Sequence, residues 1–117
     1  KKMKVGIDVL ETSRVKTDVR FLKSFLNESE IEYVSKFENP TERIAGLFCA
    51  KEAVFKALCE KQFSPHNITI SHDETGRPKV VLRGKYLEQF YKKFKSIDLS
   101  ISHSKTIATA ICITEEK

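Results

Sequence analysis

The segment Phe48-Cys49-Ala50-Lys51-Glu52-Ala53-Val54-Phe55-Lys56-Ala57-Leu58 constrains the fold most, because at helical spacing it leaves almost no side for water. At about 100° per residue, Ile44, Phe48, Phe55 and Cys59 share one side, Leu47, Val54 and Leu58 lie beside them, and Ala50, Ala53 and Ala57 form the back. Such a helix is buried, and the other elements must wrap around it. Glu52 and Lys56 nevertheless lie on one of its flanks. A buried charge needs a partner. Glu four residues before Lys is the favoured order for an intrahelical ion pair, worth about 0.2–0.5 kcal/mol on an exposed surface. That is the bland account of the two charges. The functional one draws on the rest of the chain, which offers a second carboxylate, basic groups and a Ser-His turn that would gather around one anionic ligand.

With 117 residues the chain has room for one core, so a single domain over 1–117 is expected. No apolar run approaches the roughly 18 residues of a membrane span and no secretory pattern opens the chain, so a cytoplasmic protein is expected, its true start near Met3 after Lys1-Lys2. Cys49, Cys59 and Cys112 form no C-x-x-C pair, which argues against a disulfide framework or a zinc site. A net charge of +5 and a pI near 9.1 favour acidic partners, whether phosphates, nucleic acid or an acidic protein.

In chain order, Lys4 to Leu10 alternates as a strand with Val5, Ile7 and Val9 on one face and Gly6 and Asp8 on the other. Asp8 is out of place there, either a strand-end charge or a ligand, and Gly6 would let another group approach the backbone. Glu11-Thr12-Ser13 supplies a turn and cap before an amphipathic helix predicted from Arg14 to Leu26. Lys16, Arg20 and Lys23 make a basic stripe along it. A second helix runs from Asn27 to Phe37, and Asn39-Pro40-Thr41 starts the long helix, predicted to reach about Lys61. Ile68 to Leu82 reads as a hairpin around Asp73-Glu74-Thr75-Gly76. Gly84 to Phe94 fits another amphipathic helix, and Leu99–His103 and Thr106–Thr114 are two strands around Ser104-Lys105. Helices and strands come in blocks, which favours α+β with an antiparallel sheet packed on the long central helix.

Gly6-Ile7-Asp8-Val9 with Arg14, then Phe48 to Ala53 with Lys56-Ala57, then Gly76-Arg77-Pro78, then Ser100 to Ser104 with Ala108 and Ala110, occur in the order and spacing of the holo-acyl-carrier-protein synthases. The chain thus resembles the small phosphopantetheinyl transferases over nearly its whole length. That resemblance implies their fold, and transfer of 4'-phosphopantetheine from coenzyme A to a serine of apo-acyl carrier protein, in fatty acid biosynthesis. Adenosine 3',5'-bisphosphate would be released and magnesium required.

By the same resemblance Asp8 and Glu52 would hold the metal, as suits a cation taking one or two carboxylates plus substrate phosphates. Lys56 would offset charge on the leaving phosphate, in a reaction that needs positioning and charge neutralisation more than covalent catalysis. Glu52, Lys56 and Asp8 are therefore the expected catalytic set, the serine's base being left open between Glu52 and a metal-held water. Lys51, Lys56, Pro78, Ser102, His103 and Ser104 would contact coenzyme A. Arg14, with Lys16, Arg20 and Lys23, would dock the acidic carrier protein. His72 is expected to be structural. The resemblance also implies a homotrimer with sites at subunit boundaries. Many relatives carry arginine where Leu47 stands and glycine where Cys59 stands, so one phosphate contact would pass to Arg43 or Lys51.

Three other readings compete. A basic nucleic-acid-binding module would present aromatics on a strand face, whereas Phe21, Phe25, Phe48 and Phe55 fall at helical core spacing. A Ser-His hydrolase would need an elbow of the G-x-S-x-G kind. A non-catalytic relative would have no use for Asp8, Glu52 and Lys56 together.

Overall fold

The computed structural model describes residues 2–117, so Lys1 of the expected lead-in lies outside the described residues. The elements are β1 (Met3–Glu11), α1 (Val19–Lys23), α2 (Glu28–Ser35), α3 (Thr41–Ala57), β2 (Ile68–His72), β3 (Pro78–Leu82), α4 (Gly84–Lys93), β4 (Phe94–His103) and β5 (Ile107–Glu116). β5 lies between β1 and β4, antiparallel to both, and β2 and β3 form a separate antiparallel hairpin. This is the α+β architecture expected from the pattern of blocks.

α3 packs across the inner face of the larger sheet. Ile44, Ala45, Leu47, Cys49, Ala50, Ala53, Val54 and Ala57 are all but sealed from solvent. They join Leu22, Phe25, Leu26, Ile68, Leu99, Ala108 and Cys112 in one buried cluster. The small residues on the back of the helix let it lie close to the strands. The phenylalanines interlock in this core, Phe25 meeting Phe48 edge to face at 5.3 Å.

The helix stops earlier than its sequence suggested. Cys59, expected on the apolar side, has φ +58° and is exposed, so the chain turns left-handed just beyond Leu58. That conformation closes many helices and is normally filled by glycine.

The first helix is also shorter than predicted. Thr12–Arg14 forms a 3-10 turn, and α1 begins only after Asp18, whose carboxylate accepts from the Phe21 N–H at 3.1 Å. The Asp18 cap overrides the longer amphipathic period, leaving Lys16 in the connection before the helix.

Burial on β1 is the reverse of what its composition suggests. Gly6 is buried against α3, while Val5, Ile7 and Val9 keep 57–59 % of their surface exposed. Met3, Ile107, Ile111 and Ile113 extend this apolar surface over β1 and β5. Asp8 therefore sits on the face turned toward α3.

Candidate active site

Gly6 sets the distance between β1 and α3. A methyl there would overlap the Ala53 carbonyl oxygen and come within 2.8 Å of the Ala57 backbone nitrogen. Because strand side chains alternate, the residue two places on faces the same helix. That residue is Asp8.

Lys56, one turn beyond Glu52, donates from Nζ to the Ile7 carbonyl at 2.9 Å and lies 3.6 Å from Asp8 Oδ1. The lysine therefore bridges strand and helix, in place of the purely intrahelical pair that its spacing from Glu52 allowed. Burial raises the pKa of Glu52, the Asp8 charge raises it further, and Lys56 pulls it back. Two carboxylates thus share a site that one ammonium only partly neutralises.

Cys49 completes the floor. Its thiol is buried against the Ala108 carbonyl, and its pKa is pushed up to about 12, by burial first and then by the Asp8 charge. It is an inert, protonated thiol rather than a nucleophile.

Lys51 takes a different role from the one expected. It is fully buried, and its Nζ donates to Glu30 Oε1 at 2.7 Å, to the Phe25 carbonyl at 2.7 Å and to the Pro65 carbonyl at 3.0 Å. Three acceptors use all three donors of an ammonium, so none remains for coenzyme A. Burial pushes its pKa down and Glu30 opposes the fall. Glu30 in turn accepts from the backbone N–H groups of Asn27 and Ile70, at 2.8 and 2.7 Å. The pair ties α2, α3 and β2 together. Glu30 escaped notice because its place in the first turn of α2 reads as an ordinary dipole preference.

A second concavity of about 190 Å³ opens at the other end of α3, lined by Tyr33, Arg43, Leu47, His72, Pro78 and His103, with Gly46, Gly76 and Ile101 between them. Pro78 and His103, both expected to contact coenzyme A, line this pocket. Ser102 and Ser104 are not brought in. Alternation along β4 turns Ser102 to the outer sheet face opposite Thr109, and the Ser104 N–H closes the β4–β5 turn on the Ile107 carbonyl at 2.8 Å.

His72 is held by a ring stack. It stacks on Tyr33 with ring centroids 4.2 Å apart while lining this pocket, and burial and then the Arg43 charge lower its pKa. Arg43 rests its guanidinium 3.7 Å from the centre of the Phe37 ring. Where Leu47 offers no charge, Arg43 one turn earlier does.

Arg14, Lys16, Arg20 and Lys23 are all exposed, and none forms an ion pair among the described residues. Arg14 stands beside an apolar depression lined by Leu10, Val15, Phe21, Phe25 and Phe48.

Residues 4–113 match the family model described as "4'-phosphopantetheinyl transferase superfamily". The chain belongs to that superfamily. Within it, the chain is 40 % identical over 116 residues to the holo-[acyl-carrier-protein] synthase of Caldanaerobacter subterraneus subsp. tengcongensis, covering 93 % of this chain and 91 % of that one. It is 41 % identical over 122 residues to the enzyme of the same name from Thermoanaerobacter sp., covering 97 % and 88 %. Among solved structures of the superfamily, the Helicobacter pylori holo-[acyl-carrier-protein] synthase in complex with coenzyme A superposes with a TM-score of 0.82 at 30 % identity, covering 95 % of this chain and 99 % of that one.

Asp8 and Glu52 offer hard oxygen donors. Among the described residues no three His, Cys, Asp or Glu side chains converge. Two carboxylates completed by substrate phosphate oxygens and water are a donor set that would suit magnesium.

Proposed function

We infer that this chain transfers 4'-phosphopantetheine from coenzyme A to a serine of apo-acyl carrier protein, releasing adenosine 3',5'-bisphosphate. This is the activity for which its relatives are named. The observation that carries it is the meeting of Asp8, Glu52 and Lys56 across the β1–α3 contact.

The serine oxygen of the carrier forms a bond to the phosphorus that bears the pantetheine arm. The bond from that phosphorus to the bridging oxygen of the diphosphate breaks, and the nucleotide leaves with the electron pair. Asp8 and Glu52 would hold magnesium, which when bound would supply positive charge to the diphosphate and offset the Asp8 repulsion that adds to burial in raising the Glu52 pKa. Lys56 keeps Asp8 in place through the Ile7 carbonyl and the ion pair, and its half-exposed ammonium faces a leaving phosphate. Glu52 is the chain's own candidate for accepting the serine proton.

The exposed cations Arg14, Lys16, Arg20 and Lys23 suit an acidic carrier, and screening weakens such contacts above roughly 0.15 M salt, where the Debye length is about 8 Å. The chain would act as one domain, in the cytoplasm and within fatty acid synthesis, and no helix among its described residues is long and apolar enough to cross a membrane.

A homotrimer fits two features. The outer face of β1 and β5 is an apolar surface of the kind that marks an interaction site. The α3 residues that line the pocket of His103 run from Arg43 to Leu47, so along the helix axis they lie about 14 to about 8 Å before Glu52. A neighbouring copy would bring one chain's pocket to the other's carboxylates.

The test is intact mass spectrometry of an apo-acyl carrier protein incubated with the chain, magnesium and coenzyme A. One added phosphopantetheine is expected. No mass change across several carriers would remove the proposal.

A further inference from the structure

Glu42 belongs to none of the groups discussed so far. Its Oε1 lies 2.7 Å from His103 Nδ1, across 61 residues of sequence, and each side chain keeps 27 % of its surface exposed. An ionised carboxylate only accepts, so Nδ1 must carry the hydrogen and Nε2 is the nitrogen left for the pocket. The other side of the ring is confined as well. A methyl added at Gly46 would sit 3.9 Å from His103 Cδ2, so the helix backbone itself walls the imidazole. Arg43, next in sequence to Glu42, lines the same pocket from α3, with its guanidinium parked over Phe37. His72 and Tyr33 face it from the hairpin and α2, and β5 opposes His103 with uncharged Ala108.

We propose that Glu42 is a positioning residue for a phosphate-monoester subsite, aiming His103 Nε2 into the pocket beside the Arg43 guanidinium. This rests on the activity proposed above, which supplies a substrate with two separated anionic groups. The diphosphate belongs to Asp8, Glu52 and Lys56. The phosphate on the ribose needs a second cationic site. With an anion bound, His103 donates from both nitrogens, to the phosphate and to Glu42, and the charges of Glu42, Arg43 and His103 sum to one positive charge at the pocket. Glu42 itself stays behind the ring, outside the pocket lining, and does not repel the ligand.

A carboxylate in the first turn of a helix also suits the helix dipole, so loss of stability would not separate the two roles. Two binding measurements and one kinetic one do. Glu42→Ala, Glu42→Gln, His103→Ala and the Glu42→Ala/His103→Ala double variant are compared with the parent for binding adenosine 3',5'-bisphosphate and adenosine 5'-phosphate by calorimetry. Each is then assayed with coenzyme A and 3'-dephospho-coenzyme A.

Glu42→Ala is expected to weaken the bisphosphate about tenfold, the scale of one charge-assisted hydrogen bond, and to leave the monophosphate unchanged. Its KM for coenzyme A rises by the same factor at near-parent kcat, and its KM for the dephospho substrate does not move. Glu42→Gln, which keeps an acceptor for Nδ1, recovers most of the loss, and the double variant binds no worse than His103→Ala.

Equal effects on both nucleotides, a loss confined to kcat, or additive losses in the double variant would each overturn the assignment of Glu42. A parent that shows the Glu42-dependent preference for the bisphosphate but transfers nothing to any carrier would keep the subsite and sink the proposed activity instead.

Discussion

Gly6→Ala tests how the site is assembled. The added methyl would overlap the Ala53 carbonyl oxygen and approach the Ala57 nitrogen to 2.8 Å, and both are backbone atoms of a helix that cannot swing aside as a side chain can. β1 must therefore move away from α3. Overpacking of this kind costs about 1–3 kcal/mol, and rigid obstacles place the change at the upper end. At about 4 °C per kcal/mol for a chain of this size, the melting temperature should fall by about 12 °C. The displacement also carries Asp8 away from Glu52 and stretches the 2.9 Å bond from Lys56 to the Ile7 carbonyl. Misplacement by about 1 Å can cost roughly a hundredfold in rate. The assay is thermal melting beside turnover at 25 °C over a magnesium titration. A folded Gly6→Ala protein should turn over about a hundredfold more slowly and need more magnesium. Parent-like melting and turnover together would refute the claim that this glycine sets the spacing of the carboxylates.

Three further variants probe other parts of the structure. Lys51→Met strips Glu30 of its partner inside the core, and breaking such a pair costs about 3–5 kcal/mol; chemical denaturation should show that loss, with Glu30→Gln/Lys51→Met recovering part of it, whereas a fully stable Lys51→Met with raised KM for coenzyme A would return the lysine to the binding site. Glu52→Gln should abolish turnover yet melt higher than the parent in the absence of divalent cations. The raised Glu52 pKa is a contribution to stability present below its unfolded value of 4.5 and lost as pH rises through the folded value, so the two proteins should converge in acid and diverge toward neutrality. Magnesium should stabilise the parent and not the variant, and an equal magnesium shift in both would exclude Glu52 as a ligand. Cys59→Gly relieves a left-handed non-glycine residue at φ +58° and should raise stability by about 1 kcal/mol in the same melts, a drop counting against strain there.

Much of the site was legible because its geometry follows from two periods. Gly6 and Asp8 share a strand face by alternation, and Glu52 and Lys56 share a helix flank by the four-residue repeat. Gly6 allowed a close approach to the strand, and the structure shows that α3 is the element that makes it. What the periods do not carry is which face of a strand turns inward. Val5, Ile7 and Val9 make the apolar face of the strand, but the core side of β1 is taken by the face of Gly6 that admits α3, and the three apolar side chains are left outside. Nor could the sequence separate Lys51 from Lys56. Both are lysines flanking Glu52 on one helix, and only the tertiary arrival of Phe25, Glu30 and Pro65 turns the first into a buried strut.

That difference decides how the helix divides its labour. Lys51 spends all three donors on the fold, so it locks the chain before Asn27 and the turn at Pro65 onto α3. Lys56 uses one donor on a carbonyl and keeps about half its side chain in solvent, so it can give up its 3.6 Å pairing with Asp8 for a phosphate at little cost. Exposed pairs are weak and exchangeable, and buried ones are not. Two lysines five residues apart thus serve opposite ends, one holding still the helix on which the other must remain free to act.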